Sequence, residues 1–189
     1  MKNILFLASP GAGKGTQAGI LAEKFELVHI SSGDLLRLEV ANGSELGDKI
    51  KTIQLSGGLV PDELIIEIIK NKINEETKAK GFIFDGFPRT AKQASELDKM
   101  LAEKNCPLNL VIVLEISSKE MMKRLLKRAE IEGRHDDNKE TIKARKAVYN
   151  EKTKPLIEYY SAQNKVVRVN GEREITSIAE DLEDIVNKI

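Results

Sequence analysis

Short apolar runs alternate along the chain with longer stretches in which apolar residues recur every three or four positions. The runs at 3–8, 27–30, 82–85, 110–116 and 166–169 predict five strands, buried because few polar residues interrupt them. Helical spacing predicts helices such as 16–25 and 62–74, the second preceded by Pro61 with Asp62 and Glu63 in its first turn. Strand and helix in alternation predict right-handed βαβ units. The expected fold class is therefore α/β, three layers deep, with a central five-stranded parallel sheet.

Two places depart from simple alternation. Between the second and third strands lie about fifty residues with at least three helical patterns, split by Gly43 and Gly57-Gly58, more than a crossover needs. This predicts an insertion. Farther on, Ala129 to Asp137 is a short polar link between two helices, with Gly133 as the expected stop and Asp137 as the expected N-cap of the next helix. No internal repeat, low-complexity tract or linker divides the chain, so 1–189 reads as one core domain.

Composition narrows the class. The 189 residues carry 30 basic and 30 acidic side chains, so neither sign dominates and no bulk electrostatic partner such as nucleic acid or an anionic membrane is expected. The N-terminal apolar run stops at Ser9-Pro10-Gly11, short of a signal-peptide core, and no run approaches a membrane span. A single cysteine, Cys106, excludes a disulfide framework and a Cys-ligated zinc site and suits a reducing compartment. The expected location is cytoplasmic. Only 8 of the 30 basic residues are arginine, which makes each planar, bidentate side chain worth following.

The most informative segment is Ala8-Ser9-Pro10-Gly11-Ala12-Gly13-Lys14-Gly15-Thr16-Gln17, between the first strand and the first helix. Glycines let successive amides face an anion, the helix N-terminus adds partial positive charge, and a lysine at this place can reach the outer phosphates. The pattern G-x-x-x-x-G-K-[ST] is broken at both ends, by Ala8 and by Gly15. Were the backbone at residue 8 to require positive φ, alanine there would be strained by about 1 kcal/mol. The bland alternative, a tight turn carrying a surface lysine, is disfavoured because strand and helix flank the loop as a phosphate cradle requires.

From Gly11 to Gln17 the sequence resembles the nucleoside monophosphate kinases, P-loop proteins, and the rest of the chain is similar to the short-lid adenylate kinases. The further motifs are Ser31-Ser32-Gly33-Asp34-Leu35-Leu36-Arg37, Asp85-Gly86-Phe87-Pro88-Arg89-Thr90 with Gln93 beyond, and Gly133-Arg134-His135-Asp136-Asp137-Asn138 with Arg145 following. The resemblance implies reversible Mg²⁺-dependent phosphoryl transfer from ATP to AMP, giving two ADP. It implies that 31–60 form the monophosphate-binding insertion and 127–137 a short lid. AMP would meet Ser32, Gly33, Arg37, Gly58, Leu59, Val60, the turn Gly86, Phe87, Pro88, Arg89, then Gln93, Arg134 and Arg145. ATP would meet Gly11, Ala12, Gly13, Lys14, Gly15, Thr16, Arg124, Arg128 and Arg173. Lys14, Arg89, Arg128, Arg134 and Arg145 would form the catalytic cage. His135 departs from the usual lid. No direct protein ligand to the metal is implied; Asp85, at a strand's C-terminal edge, would hold Mg²⁺ through bound water.

Each assignment has a plainer competitor. The arginines could be surface ion pairs, Asp85 a loop cap, Asp137 a helix cap, and Thr90-Ala91-Lys92-Gln93 a capping box that occupies Gln93. Met121, Met122, Leu125 and Leu126 read as core at helical spacing. Two other functions compete: a UMP/CMP kinase of the same family, which the Ser32 and Gln93 pair opposes, and a catalytically decayed nucleotide-binding regulator, hinted at by Ala8. Without a heptad seam or repeat, a monomer is expected.

Overall fold

The computed structural model describes residues 1–133 and 137–189, and among these five parallel strands form one sheet. The strands are β1 (Ile4–Ala8), β2 (Val28–Ser31), β3 (Phe82–Asp85), β4 (Leu110–Glu115) and β5 (Val166–Asn170), in the order β2-β3-β1-β4-β5. β1 lies at the centre, with Ile4 opposite Ile83 of β3 on one side and Leu110 of β4 on the other. Its connection turns toward β2 while that of β3 turns back toward β4, so the switch point of the sheet opens at the C-terminal ends of β1 and β3.

Period-two alternation builds a core on each face. Leu5, Leu7, Val111 and Val113 join one cluster, and Ile4, Phe6, Leu110 and Ile112 join the other. Helices α1 (Lys14–Phe25) and α9 (Ile175–Asn187) cover the second face through Ala18, Leu21, Ile178 and Leu182. Helices α4 (Asp62–Glu75), α5 (Ala91–Glu103) and α8 (Pro155–Ser161) cover the first through Ile65, Ile69, Leu97, Leu101 and Tyr160. The expectation of buried strands holds for β1, β3 and the body of β4. β2 and β5 are edges with one neighbour each, and Arg168 and Asn170 of β5 are exposed.

Between β2 and α4, helices α2 (Ser32–Ala41) and α3 (Glu45–Ser56) pack against each other, each started by a serine whose hydroxyl accepts a backbone N–H: Ser31 from Asp34 and Ser44 from Gly47. Helix α6 (Ser118–Glu132) stops at Gly133 with φ 62°, as its sequence predicts. Helix α7 (Lys139–Val148) corrects an expectation. Its N-cap is Asn138, whose Oδ1 accepts from Thr141 N at 2.9 Å, and not Asp137. The Asp137 carboxylate is instead drawn inward by two arginines. Met121 and Leu125 pack on Ile142 between α6 and α7, the core role their spacing predicts. A π-helical turn, Tyr149–Thr153, leads on to α8. Among the described residues no helix is long and apolar enough to cross a membrane.

Candidate active site

The chain leaves β1 at Ala8 and enters α1 at Lys14, with Gly13 at φ 89° in the cap position. A side chain would be strained there, and the glycine lets the loop close over the helix N-terminus. Ala8 itself stays in the sheet opposite Leu114 and is not among the non-glycine residues with positive φ, so the strain considered for it does not arise. Lys14 folds back along the loop, its Nζ donating to Ala8 O at 3.4 Å and Ser9 O at 3.3 Å. Burial lowers its pKa to about 8; Asp85 opposes that shift, while Arg89 and Arg128 add to it.

Asp85 ends β3 opposite Phe6 of β1 and Ser31 of β2. The first turn of α1 lies beside it at Gly15, where an added Cβ would stand 3.4 Å from Asp85 Oδ2, an ordinary van der Waals contact. Burial works to raise the Asp85 pKa, but His29, with Nε2 3.7 Å away, and Lys14 outweigh it and hold the carboxyl below its ordinary value. The next residue, Gly86 at φ 76°, begins the turn that aims Arg89. A Cβ on it would approach Ser32 Oγ to 2.6 Å and Arg89 Nη2 to 2.9 Å. The turn is closed by Arg89 Nε donating to Gly86 O at 2.7 Å, with the Phe87–Pro88 peptide cis. Burial lowers the pKa of Arg89 and Arg145 adds to the effect, with Asp85 opposing.

These elements surround a cleft of about 510 Å³ at the switch point, well within the range of ligand sites. Of the glycine loop, Gly11, Gly13, Lys14, Gly15 and Thr16 line it. Ser32, Gly33 and Arg37 line it from the start of α2, and Gly58, Leu59 and Val60 from the loop after α3. Gly86, Pro88, Arg89 and Gln93 contribute from β3 and α5, and Arg124, Arg128 and Arg145 from α6 and α7. Three of the residues expected to meet a nucleotide lie elsewhere. Ala12 and Phe87 are buried behind the lining, and Arg173, in the β5–α9 loop, is paired on the surface with Asp181. Arg134, with His135 and Asp136, lies outside the described residues.

Arg128 of α6 and Arg145 of α7 share one acid. Asp137, whose side chain is fully buried, accepts from Arg128 Nε at 2.7 Å and Nη2 at 2.9 Å and from Arg145 Nη1 at 2.7 Å. Gln93 is buried in a second polar knot. Its Oε1 accepts from Arg89 N at 2.7 Å, its Nε2 donates to Asp62 Oδ1 at 2.7 Å, and its own N–H reaches the Thr90 hydroxyl at 3.2 Å. The capping expected of Thr90 is present and the glutamine also faces the cleft, so the two readings of Gln93 are compatible.

Comparison with known proteins points to adenylate kinases. The family model described as adenylate kinase matches residues 6–165. An adenylate kinase of Bacteroides thetaiotaomicron is 44% identical over 189 residues, covering all of both chains. One of Leptospira biflexa is 48% identical over 171 residues, 90% of this chain and 92% of its own. One of Thermus thermophilus is 47% identical over 168 residues, 89% of this chain and 88% of its own. The chain belongs to the adenylate kinase family. Its activity is that of an ATP:AMP phosphotransferase.

In this adenylate kinase, sequence motifs alone do not reveal the whole cleft. His29, Gln54 and Tyr149 also line it. The first is a polar residue inside the apolar β2 run, a signal that was available; Gln54 sits within α3 and Tyr149 opens the π-helical turn, and neither carries one. Asp62 was legible only as a first-turn acid of α4, and its bond to Gln93 spans 31 residues of sequence. Among the described residues no three His, Cys, Asp or Glu side chains converge as a metal cage. The single depressed carboxylate of Asp85 beside the phosphate loop fits a hydrated Mg²⁺ whose other ligands are phosphate oxygens and water.

Proposed function

We propose that this adenylate kinase transfers the γ-phosphoryl of Mg·ATP to AMP in the cleft at the ends of β1 and β3, with the ATP phosphates over the Gly11–Thr16 loop and AMP between 32–37, 58–60 and Gln93. The observation that carries the reading is the convergence of Lys14, Arg89, Arg128 and Arg145 with Asp85 on one cleft, although they lie far apart in the chain. Phosphoryl transfer asks little covalent chemistry of a protein; it asks for in-line positioning and for cations around the charge on the equatorial oxygens. No general base is assigned.

In this reading Lys14 holds the outer phosphates of ATP, and Arg128, Arg134 and Arg145 surround the group in flight. Arg89 fixes the AMP phosphate, aimed by the Gly86 turn. Arg124, one helical turn before Arg128, lies toward the ATP base, and Arg173 would reach ATP after leaving Asp181. Bound Mg²⁺ supplies charge neutralisation on the phosphates. Asp85 holds its coordinated water. We further propose that 31–60 and 127–137 move as an AMP-binding flap and a short lid, excluding water that would otherwise compete with AMP as acceptor. A cytoplasmic monomer is the working assignment.

A coupled assay of ADP formation with Mg·ATP and AMP, UMP, CMP, GMP or no acceptor tests the reading. Turnover with AMP well above the others is expected. Preference for UMP or CMP would overturn the adenine assignment of Ser32 and Gln93, and ATP binding without turnover would overturn the proposed catalytic cage.

A further inference from the structure

The amide of Gln93 has two faces that differ only in which end carries oxygen and which nitrogen, and a free side chain could present either to a base. Here the choice is made by its neighbours. The backbone N–H of Arg89 can only donate, and it sits 2.7 Å from Oε1. The carboxylate of Asp62 faces the amide as acceptor, its Oδ1 2.7 Å from Nε2. Thr90 closes the arrangement, because its hydroxyl accepts from Gln93 N and donates to Asp62 Oδ2 at 3.0 Å, leaving the carboxylate fully engaged on that side. Turning the amide over would set donor against donor at Arg89 and acceptor against acceptor at Asp62.

Oxygen and nitrogen each keep one further valence, and the side chain lines the cleft. Adenine offers an amino donor at C6 and an acceptor at N1. Hypoxanthine and guanine offer the reverse, an oxygen acceptor at C6 and an N1–H donor. An amide locked with Oε1 as acceptor and Nε2 as donor fits the first pair and opposes the second. We propose that Asp62 is a specificity-determining positioning residue: by fixing the orientation of the Gln93 amide it makes the monophosphate site select 6-amino over 6-oxo purines. The inference rests on the reading that Gln93 faces the adenine of AMP. Asp62 acts without touching the base, through a bond to Gln93.

The test is the ratio of kcat/KM for AMP to that for IMP, whose base carries the reversed pattern without the extra amino group of guanine. It is measured for wild type, Asp62→Ala, Gln93→Ala and the double variant. Loss of an anchor that is merely structural lowers both substrates together and leaves the ratio alone. Asp62→Ala is expected to lower the ratio by about tenfold, Gln93→Ala by about tenfold or more, and the double variant to match Gln93→Ala. A wild-type ratio in Asp62→Ala beside a reduced one in Gln93→Ala overturns the role of Asp62 and leaves the adenine contact standing. An unchanged ratio in Gln93→Ala overturns the underlying contact. A double variant less selective than Gln93→Ala shows Asp62 acting by another route and overturns positioning. Should Asp62→Ala fail to fold, Asp62→Asn, which keeps the shape but offers nitrogen as readily as oxygen, carries the same comparison.

Discussion

Asp137 grips Arg128 at two nitrogens, Nε at 2.7 Å and Nη2 at 2.9 Å, and so ties the last turns of α6 to the chain entering α7. With Arg145 on the same carboxylate, a single fully buried acid orders two of the cations proposed for the transferring phosphoryl. Removing the acid takes this shared anchor from both guanidinium groups. Asp137→Ala is expected to cost about 3 kcal/mol in urea unfolding. It should also lower kcat more than it raises either KM, because the arginines lose their common anchor. An unchanged unfolding midpoint would show that the three groups are as well solvated apart as together.

Lys14 has a definite pH signature. Its pKa is depressed to about 8, so the folded protein disfavours the cation relative to the unfolded chain, and this penalty is full below pH 8 and fades as pH rises toward 10.5. A nucleoside triphosphate would favour the cation by bringing its negative phosphates to Lys14. ATP binding between pH 8 and 9.5 is therefore expected to take up a proton, and affinity should fall as pH rises through that window. Calorimetric titration in buffers of different ionisation enthalpy measures the uptake directly. Lys14→Met should abolish it and reduce turnover by about a hundredfold or more.

Gly86 cannot carry a side chain without cost. At φ 76° an added Cβ meets Ser32 Oγ at 2.6 Å and Arg89 Nη2 at 2.9 Å. Gly86→Ala is expected to lose about 1 to 2 kcal/mol of stability to backbone strain and to displace the guanidinium. Its kinetic mark should be a KM for AMP raised by about tenfold with the KM for ATP little changed. Equal effects on both substrates would argue that the turn supports the whole cleft and not the monophosphate side.

Gln93→Ala strips the knot around α5 of a buried amide. The unsatisfied Asp62 oxygen and Arg89 N–H should cost about 1 to 3 kcal/mol in stability. A KM for AMP raised alongside would mark the adenine contact, whereas loss of stability with an unchanged KM would leave Gln93 only its structural part.

Much of this adenylate kinase is local in origin. Alternating apolar runs define β1, β3 and β4, the glycine loop identifies itself by lying between a strand and a helix, and Gly133 stops α6 where its backbone must turn left-handed. Such features depend on neighbours within a few residues, so the order of amino acids suffices to read them. The motif resemblance then places most of the residues that line the cleft, because three of its motifs follow the ends of β1, β2 and β3, which open on it.

Tertiary structure decided what depends on distant partners. Asp137 and Asn138 are equally good helix caps by chemistry, and only the arrival of Arg128 and Arg145 pulls the aspartate inward and leaves the cap to its neighbour. Arg173 and Arg89 are alike in sequence, yet one pairs with Asp181 at the surface while the other is set into the cleft by the Gly86 turn. Asp62 reads as a helix-start acid until the fold carries α4 against α5 and sets it on Gln93. A side chain's chemistry is written in the sequence, but which of its hydrogen bonds is made depends on what the sheet and helices bring within 3 Å of it.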